Sequence, residues 1–398
     1  MPRTAPATEI GIVGGGPAGL TLARLLTVRG TPVTVHERDA GPDARTQGGT
    51  LDLRPDTGQR ALRAAGLTEA FARHARPEGQ DMLLYDRSGT LLYREDTPDP
   101  APGDAPSPQP EIDRADLRTL LLGSLPPGTV RWGHALRDAA PAPGGGWRLR
   151  FDDGSTAEHR ILIGADGARS RLRPLLTPAE PHHLGVNSVE GTVPAIDRTH
   201  PDLAAAVGRG TYWVIGDGDS FAAQRCTDGR VRIGLSLRGP ADWPTTCGIP
   251  FDRPAEARAA LLELFADWPP TCRALLAASE GELTPRPFTA LPVGLRWPHR
   301  PGLTLLGDAA HLMPPVGLGA NAAMRDALEL ADALAAHPGD RGSALRAYED
   351  EMFARTAEDA ARSDRMIRLI HSPGGARGVA AFFAPDGPAA GDLESSVA

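Results

Sequence analysis

GIVGGGPAGLTLARLLTVRGTPVTVHERD, residues 11–39, decides the fold. An apolar run through Ile10, Ile12 and Val13 enters the turn Gly14-Gly15-Gly16-Pro17-Ala18-Gly19. A stretch with a helical apolar pattern follows (Leu20, Leu22, Ala23, Leu25, Leu26), and a second run, Pro32 to His36, ends in Glu37. Strand, glycine turn, helix, strand and acid, in that order, make a dinucleotide-binding βαβ unit. Gly14 permits the tight turn, Gly16 lets the backbone approach a pyrophosphate, and Gly19 lets helix pack on strand. The helix N-terminus points unpaired N–H groups at the phosphate, and Glu37 stands where a ribose would donate hydrogen bonds.

The rest of the chain bounds the chemistry. Its 398 residues can bury a large core and suggest two or three structural units. The net charge of -8 disfavours nucleic acid or an anionic membrane as a partner. Every cation is an arginine, so mechanisms built on lysine are excluded. Cys226, Cys247 and Cys272 are odd in number and lack metal-ligand spacing, which predicts neither a disulfide framework nor a metal site. The start, MPRTAPATEIG, lacks an apolar signal core and no run is long enough to span a bilayer; the expectation is a cytoplasmic monomer with no membrane partner.

Past Glu37, the stretch DARTQGGTLDL carries Arg45 and Asp52 on either side of the flexible pair Gly48-Gly49. Residues 81–93 predict a hairpin, and the proline-crowded segment after it an exposed excursion. EIDRADLRTLLLGSL then predicts a helix capped by Asp113, with Arg114 in its first turn, where a cation calls for an anionic neighbour or else is a plain surface arginine. A strand over 157–163 runs into GADG, which puts Asp166 at the C-terminal end of a strand, the ligand edge of open α/β sheets. From 181 to 281, short β-like runs and one helix (255–265) predict an antiparallel sheet, with Trp213, Phe221, Arg225, Arg232 and Ser236 as candidate pocket residues or ordinary sheet residues. In PGLTLLGDAAHLMPPVGLGAN a buried strand ends at Asp308, and a Pro/Gly loop leads into a helix whose first amides, at Gly319, Ala320 and Asn321, face the ligand region. Residues 341–371 predict one long helix bracing two domains, and the tail beyond reads as loose.

With GGGPAG, GADG and GDAAHLMPP in this order, the chain resembles the FAD-dependent aromatic monooxygenases of the para-hydroxybenzoate hydroxylase type. Within them it is most similar to the tetracycline-inactivating flavin monooxygenases, through HERDAGPDARTQGGTLDL, EIDRADLRTLLLGSL, GDAAHLMPP and YEDEMF. The resemblance implies an α/β fold: a Rossmann-like FAD-binding domain (1–75, 112–180 and 282–341), an inserted antiparallel β-sheet substrate-binding domain (76–111 and 181–281), a C-terminal helix (342–372) and a flexible tail (373–398). It implies that Gly14, Gly16, Pro17, Ala18 and Gly19 hold the FAD pyrophosphate, Glu37 and Arg38 the adenosine end, and Asp308 the ribityl or pyrophosphate part. Arg45, Asp52, Arg114 and Asp166 would lie along FAD or an incoming NADPH (or NADH), and Pro315, Gly319, Ala320 and Asn321 along the isoalloxazine ring. Departures fall where the substrate would sit: Val189 and Arg232 replace a Gln and a His of the tetracycline enzymes, and Leu318 a Gln. The implied chemistry is reduction of FAD by NADPH, addition of O2 at C4a, and oxygen transfer from the hydroperoxide to an aromatic or polyketide-like small molecule. The side-chain catalytic group is left unassigned, His311 being as much structural as catalytic. A flavin-dependent reductase of a lipid or aromatic compound, and a non-catalytic FAD-containing binding protein, are the alternatives.

Overall fold

The computed structural model describes residues 8–44, 48–98 and 109–384; Arg45 lies outside them. Five short strands make an all-parallel sheet in the order Leu303–Leu305, Ile161–Gly164, Ile10–Val13, Val33–His36, Val130–Arg131. Ile10, Ile12, Ile161, Leu162 and Ile163 are buried because both faces of this sheet are covered. Helices Pro17–Val28 and Gly319–Ala336 pack together, and a three-stranded antiparallel sheet (Leu136–Pro141, Trp147–Phe151, Thr156–His159) adds Trp147, Leu149 and Phe151 to the same core. The strand expected over 157–163 is two: residues 156–159 pair antiparallel with 147–150, and from Ile161 the chain joins the parallel sheet.

The second large sheet has seven strands: Glu280–Ala290, His182–Val193, Val231–Arg238, Ser220–Arg225, Thr211–Ile215, Met82–Asp86 and Leu91–Glu95. It is antiparallel except where 211–215 runs parallel to 82–86, because the hairpin that precedes the insertion comes from a distant part of the chain. Two expectations shift here. The sheet extends through Ala290, past the boundary expected at 281, and helices Pro201–Val207 and Pro270–Ala278 join Pro254–Leu264 in covering one of its faces.

The helix Arg341–Ile370 begins in the first core, where Leu345, Tyr348 and Met352 are buried and the Tyr348 hydroxyl donates to Leu305 O (2.9 Å). It ends against the second sheet, with Ile367 and Ile370 beside Leu84 and Ile215. The tail expected to be loose from 373 is instead helical over Gly375–Phe383, because Ala376, Val379 and Phe383 give it an apolar side that packs on the same patch.

Beneath the strand that ends at Glu37 lies a file of three histidines. Thr8 O can only accept, so His159 Nδ1 donates to it (2.9 Å); His159 Nε2 then accepts from His36 Nε2 (2.9 Å), and His36 Nδ1 accepts from His134 Nδ1 (3.1 Å). His159 and His36 each accept at one ring nitrogen, so this chain of hydrogen bonds is complete only with those two rings neutral. Burial and the neighbouring His159, His134 and Arg131 push His36 down to about 3; burial likewise lowers His159 and His134, the latter against the opposing pull of Asp153.

Candidate active site

The glycine turn is built as a groove. Gly14 has φ of 110°, and a Cβ there would run into Ala165 O; one at Gly19 would run into Gly14 O. Beside Gly16 there is nothing within 4 Å. In the helix that follows, Leu20 is the first residue whose N–H returns to the backbone, at Gly16 O (3.0 Å), so the amides before it face the groove. Glu37, almost fully buried, accepts from Gly15 N (2.5 Å) and Asp39 N (2.9 Å), which fixes the turn to the second strand; Arg38 beside it is exposed.

Further along, Asp308 is exposed at the end of the edge strand and lies near Gly319, and Pro315 is exposed in the loop between them. Ala322 is the first residue of helix 319–336 to bond back, to Leu318 O (3.0 Å), so the Gly319, Ala320 and Asn321 amides precede the ladder. The Asn321 side chain has a separate task. It donates to Asp52 O (2.7 Å) and accepts from Arg54 N and the Thr57 hydroxyl (2.9 Å each), clamping segment 52–58 to the helix start. Burial raises Asp52, with Arg54 opposing. Burial also raises Asp166, whose Oδ2 accepts from Arg171 N (2.7 Å) while Oδ1 is buried without a partner.

Arg114 keeps an exposed surface, and the protein packed around its guanidinium lowers its pKa, against the opposing charge of Asp308 and with repulsion from Arg232. The expected cap is absent. The Asp113 carboxylate accepts from Thr227 N (3.3 Å) and pairs with Arg230 (3.7 Å) instead. Behind the glycine pair, the Thr50 hydroxyl donates to buried Glu111, which burial pushes up to about 7.

The seven-stranded sheet divides the substrate candidates by face. Val189 and Phe221 are fully buried against the covering helices, and Arg225 pairs with Asp197 on that same side, so these three do not reach the cleft. The alternation of a strand sends their neighbours the other way. Trp213, Arg232 and Ser236 share the cleft face with Gln224 and Glu190, which sequence reasoning missed. A Cβ at Gly49 would lie 2.9 Å from Gln224 Oε1 and 3.1 Å from Arg232 Cδ, so the glycine pair is what lets this loop lie on the sheet. Arg232 bonds Glu190 (2.8 Å), which also pairs with Arg286 (3.3 Å). Trp213, Phe288, Val316 and Met366 are partly buried and pack against the cluster that joins Leu84 and Ile215 to the end of the long helix. The Ser220 and Ser236 hydroxyls bond each other (2.7 Å) beneath His371. Among the described residues no group of His, Cys, Asp and Glu could hold a metal, and no helix is long and apolar enough to cross a membrane.

Free amides at two helix starts, with buried Glu37 beside the first and Arg114 and Asp308 beside the second, fit an elongated anionic dinucleotide such as FAD. The family described as FAD binding domain matches residues 7–233 and 295–363. The 3-amino-4-hydroxybenzoate 2-monooxygenase PtnB3 of Streptomyces platensis is 35% identical over 371 residues, 93% of this chain and 90% of that protein. The FAD-dependent urate hydroxylase of Klebsiella oxytoca is 27% identical over 90% of both chains. Among solved structures, Klebsiella pneumoniae HpxO complexed with FAD and uric acid superposes with a TM-score of 0.75 at 24% identity, over 91% of this chain and 89% of that one. The tetracycline destructase Tet(51) shares the fold with a TM-score of 0.67 at 18% identity, over 92% and 91%. The chain belongs to this FAD-binding family and is a FAD-dependent monooxygenase of the aromatic hydroxylase type.

Proposed function

We propose that the protein hydroxylates a small aromatic compound that carries an anionic group, using reduced nicotinamide and O2. The overall balance is substrate C–H, NAD(P)H, H+ and O2 giving substrate C–OH, NAD(P)+ and water. FAD bound there would supply the redox chemistry between the nicotinamide and O2. The side chains bind, orient and exclude water. Gly16 and the amides after Pro17 would hold the pyrophosphate, with Gly14 shaping the turn while its own N–H bonds His36 O (2.9 Å); Glu37 would hold the ribose, Asp308 the polyol chain, and the Gly319–Asn321 amides the electron-rich edge of the ring. Trp213, Phe288 and Val316 give the cleft an apolar wall against which a ring can lie flat.

One observation supports the anionic class: Arg114 and Arg232 converge beside Gly48, both within 4.0 Å of where its Cβ would stand, so an anion between them would relieve their mutual repulsion. The curated relative acting on 3-amino-4-hydroxybenzoate is consistent with it.

The test is NADPH oxidation by the FAD-loaded protein with hydroxy- and aminobenzoates and their methyl esters, with O2 uptake and product mass followed together. A product heavier by one oxygen, formed from acids in preference to esters, supports the proposal; equal turnover of acids and esters overturns the anionic class. In the acid series Arg232→Gln should raise KM about tenfold, near 1.4 kcal/mol, with kcat little changed. Arg225→Gln, whose partner Asp197 is exposed on the far face, should leave KM unaltered and cost less than about 1 kcal/mol of stability.

A further inference from the structure

His311, in the loop motif after Asp308, is more than nine-tenths buried and serves two masters. Its Nε2 donates to Asp326 Oδ2 (2.5 Å), and the same oxygen accepts from Gly307 N (2.8 Å). Gly307 has φ of 59°, and its turn sets the direction in which the chain delivers Asp308. The other Asp326 oxygen accepts from Arg355 (2.5 Å), which also reaches Glu329 (2.8 Å). The charges facing His311 are therefore Asp326 and Glu329 from one helix, Arg355 and Asp359 from the long helix, and Asp308 from its own.

The remaining ring nitrogen, Nδ1, is buried and has no partner in the protein. The His311 side chain borders a small cavity of about 10 Å³, lined also by Leu291, Leu312, Thr356 and Ala360 and open in part to the surface past Pro292 and Gly294. That is room for one water, and the Thr356 hydroxyl, which donates to Met352 O (2.7 Å), still has a lone pair to offer it.

We propose that a single water occupies this cavity on His311 Nδ1, and that His311 is a positioning residue which, through Asp326 and Gly307, holds Asp308 toward FAD. Charged or neutral, the imidazole needs that water: as a donor when protonated, as an acceptor when not. Burial opposes the charged form, but Asp326 outweighs it and raises His311. The inference uses FAD binding alone and is independent of the substrate class.

Two measurements decide it. A crystal structure of the FAD-loaded protein should show a water within hydrogen-bond distance of His311 Nδ1; a dry cavity overturns the proposal. FAD dissociation constants should separate two conservative variants. His311→Gln, whose amide reaches as far as Nε2, should keep FAD affinity within about threefold, while His311→Asn, which reaches only as far as Nδ1, should weaken it about tenfold or more. A packing role would move both variants alike, so equal dissociation constants overturn it. If either variant fails to fold, Ala360→Leu fills the cavity from the other side without touching Asp326. It should expel the water and weaken FAD binding several-fold, and unchanged affinity there likewise overturns the proposal.

Discussion

Gly16→Ala should abolish practical FAD binding while leaving the apoprotein folded. Gly16 sits in extended backbone (φ of −81°, ψ of 179°), which alanine adopts freely, and nothing lies within 4 Å of the added methyl. The cost to stability is that of losing glycine at a helix N-cap, within about 1 kcal/mol. The methyl would, however, stand in the groove through which a pyrophosphate reaches the first-turn amides. We expect the FAD dissociation constant to rise at least about 100-fold, near 2.7 kcal/mol. Gly19→Ala provides the contrast, because its methyl runs into Gly14 O and destabilises the apoprotein itself. Titration of apoprotein with FAD, beside its melting temperature, checks both. Normal FAD affinity in Gly16→Ala would remove the turn from the binding site.

Acid should destabilise the protein in a window set by the histidine file. The folded state holds His36 neutral down to about 3, whereas an unfolded histidine takes up its proton near 6.5. Between those values the unfolded chain binds the extra proton, so stability is fully present above about pH 6.5 and falls as pH drops, by up to about 1.4 kcal/mol per unit. His36 alone then accounts for about 4–5 kcal/mol lost by pH 3. Urea unfolding of the wild type and His36→Gln across pH 7 to 4 isolates this contribution from that of the carboxylates. The variant should show a slope shallower by close to one proton, and parallel curves would mean that the file does not exclude protons. The file underlies the strand carrying Glu37, so FAD should be released early in the same window.

The cofactor half was legible because its demands are local. A turn that needs φ above zero, a helix start free of side-chain acid and a strand-end carboxylate leave marks within a few residues of sequence. The substrate wall was read less well, and the errors have a common cause. Phe221 and Arg225 rest on residue type and Val189 on the resemblance to the tetracycline enzymes, but which side of a strand faces the ligand depends on parity relative to the helices that cover the sheet. Arg232 and Ser236 share a parity, and applying it across the pairing would have pointed to Gln224 and Glu190. No such rule finds the clamp role of Asn321 or the Asp113–Arg230 pair, since each joins segments more than a hundred residues apart. The helix over 375–383 escaped notice because alanine and glycine dominate it and its apolar side is satisfied only by a distant sheet.

The seven-stranded sheet places its burden on one side only. Residues 221, 223, 231, 233 and 235 are sealed under helices and carry the packing energy, whereas 222, 224, 232 and 234 alternate with them and stay half open to the cleft. A change at one of the second set therefore disturbs little of what keeps the chain folded. Chemistry at the ligand can drift one substitution at a time while the fold is inherited intact, and the price of a new substrate is paid in binding and not in survival of the scaffold. Such a wall is an adaptable surface in the evolutionary sense, and directed selection for altered specificity should be concentrated on its cleft-facing positions, Trp213, Ala222, Gln224, Arg232 and Gly234.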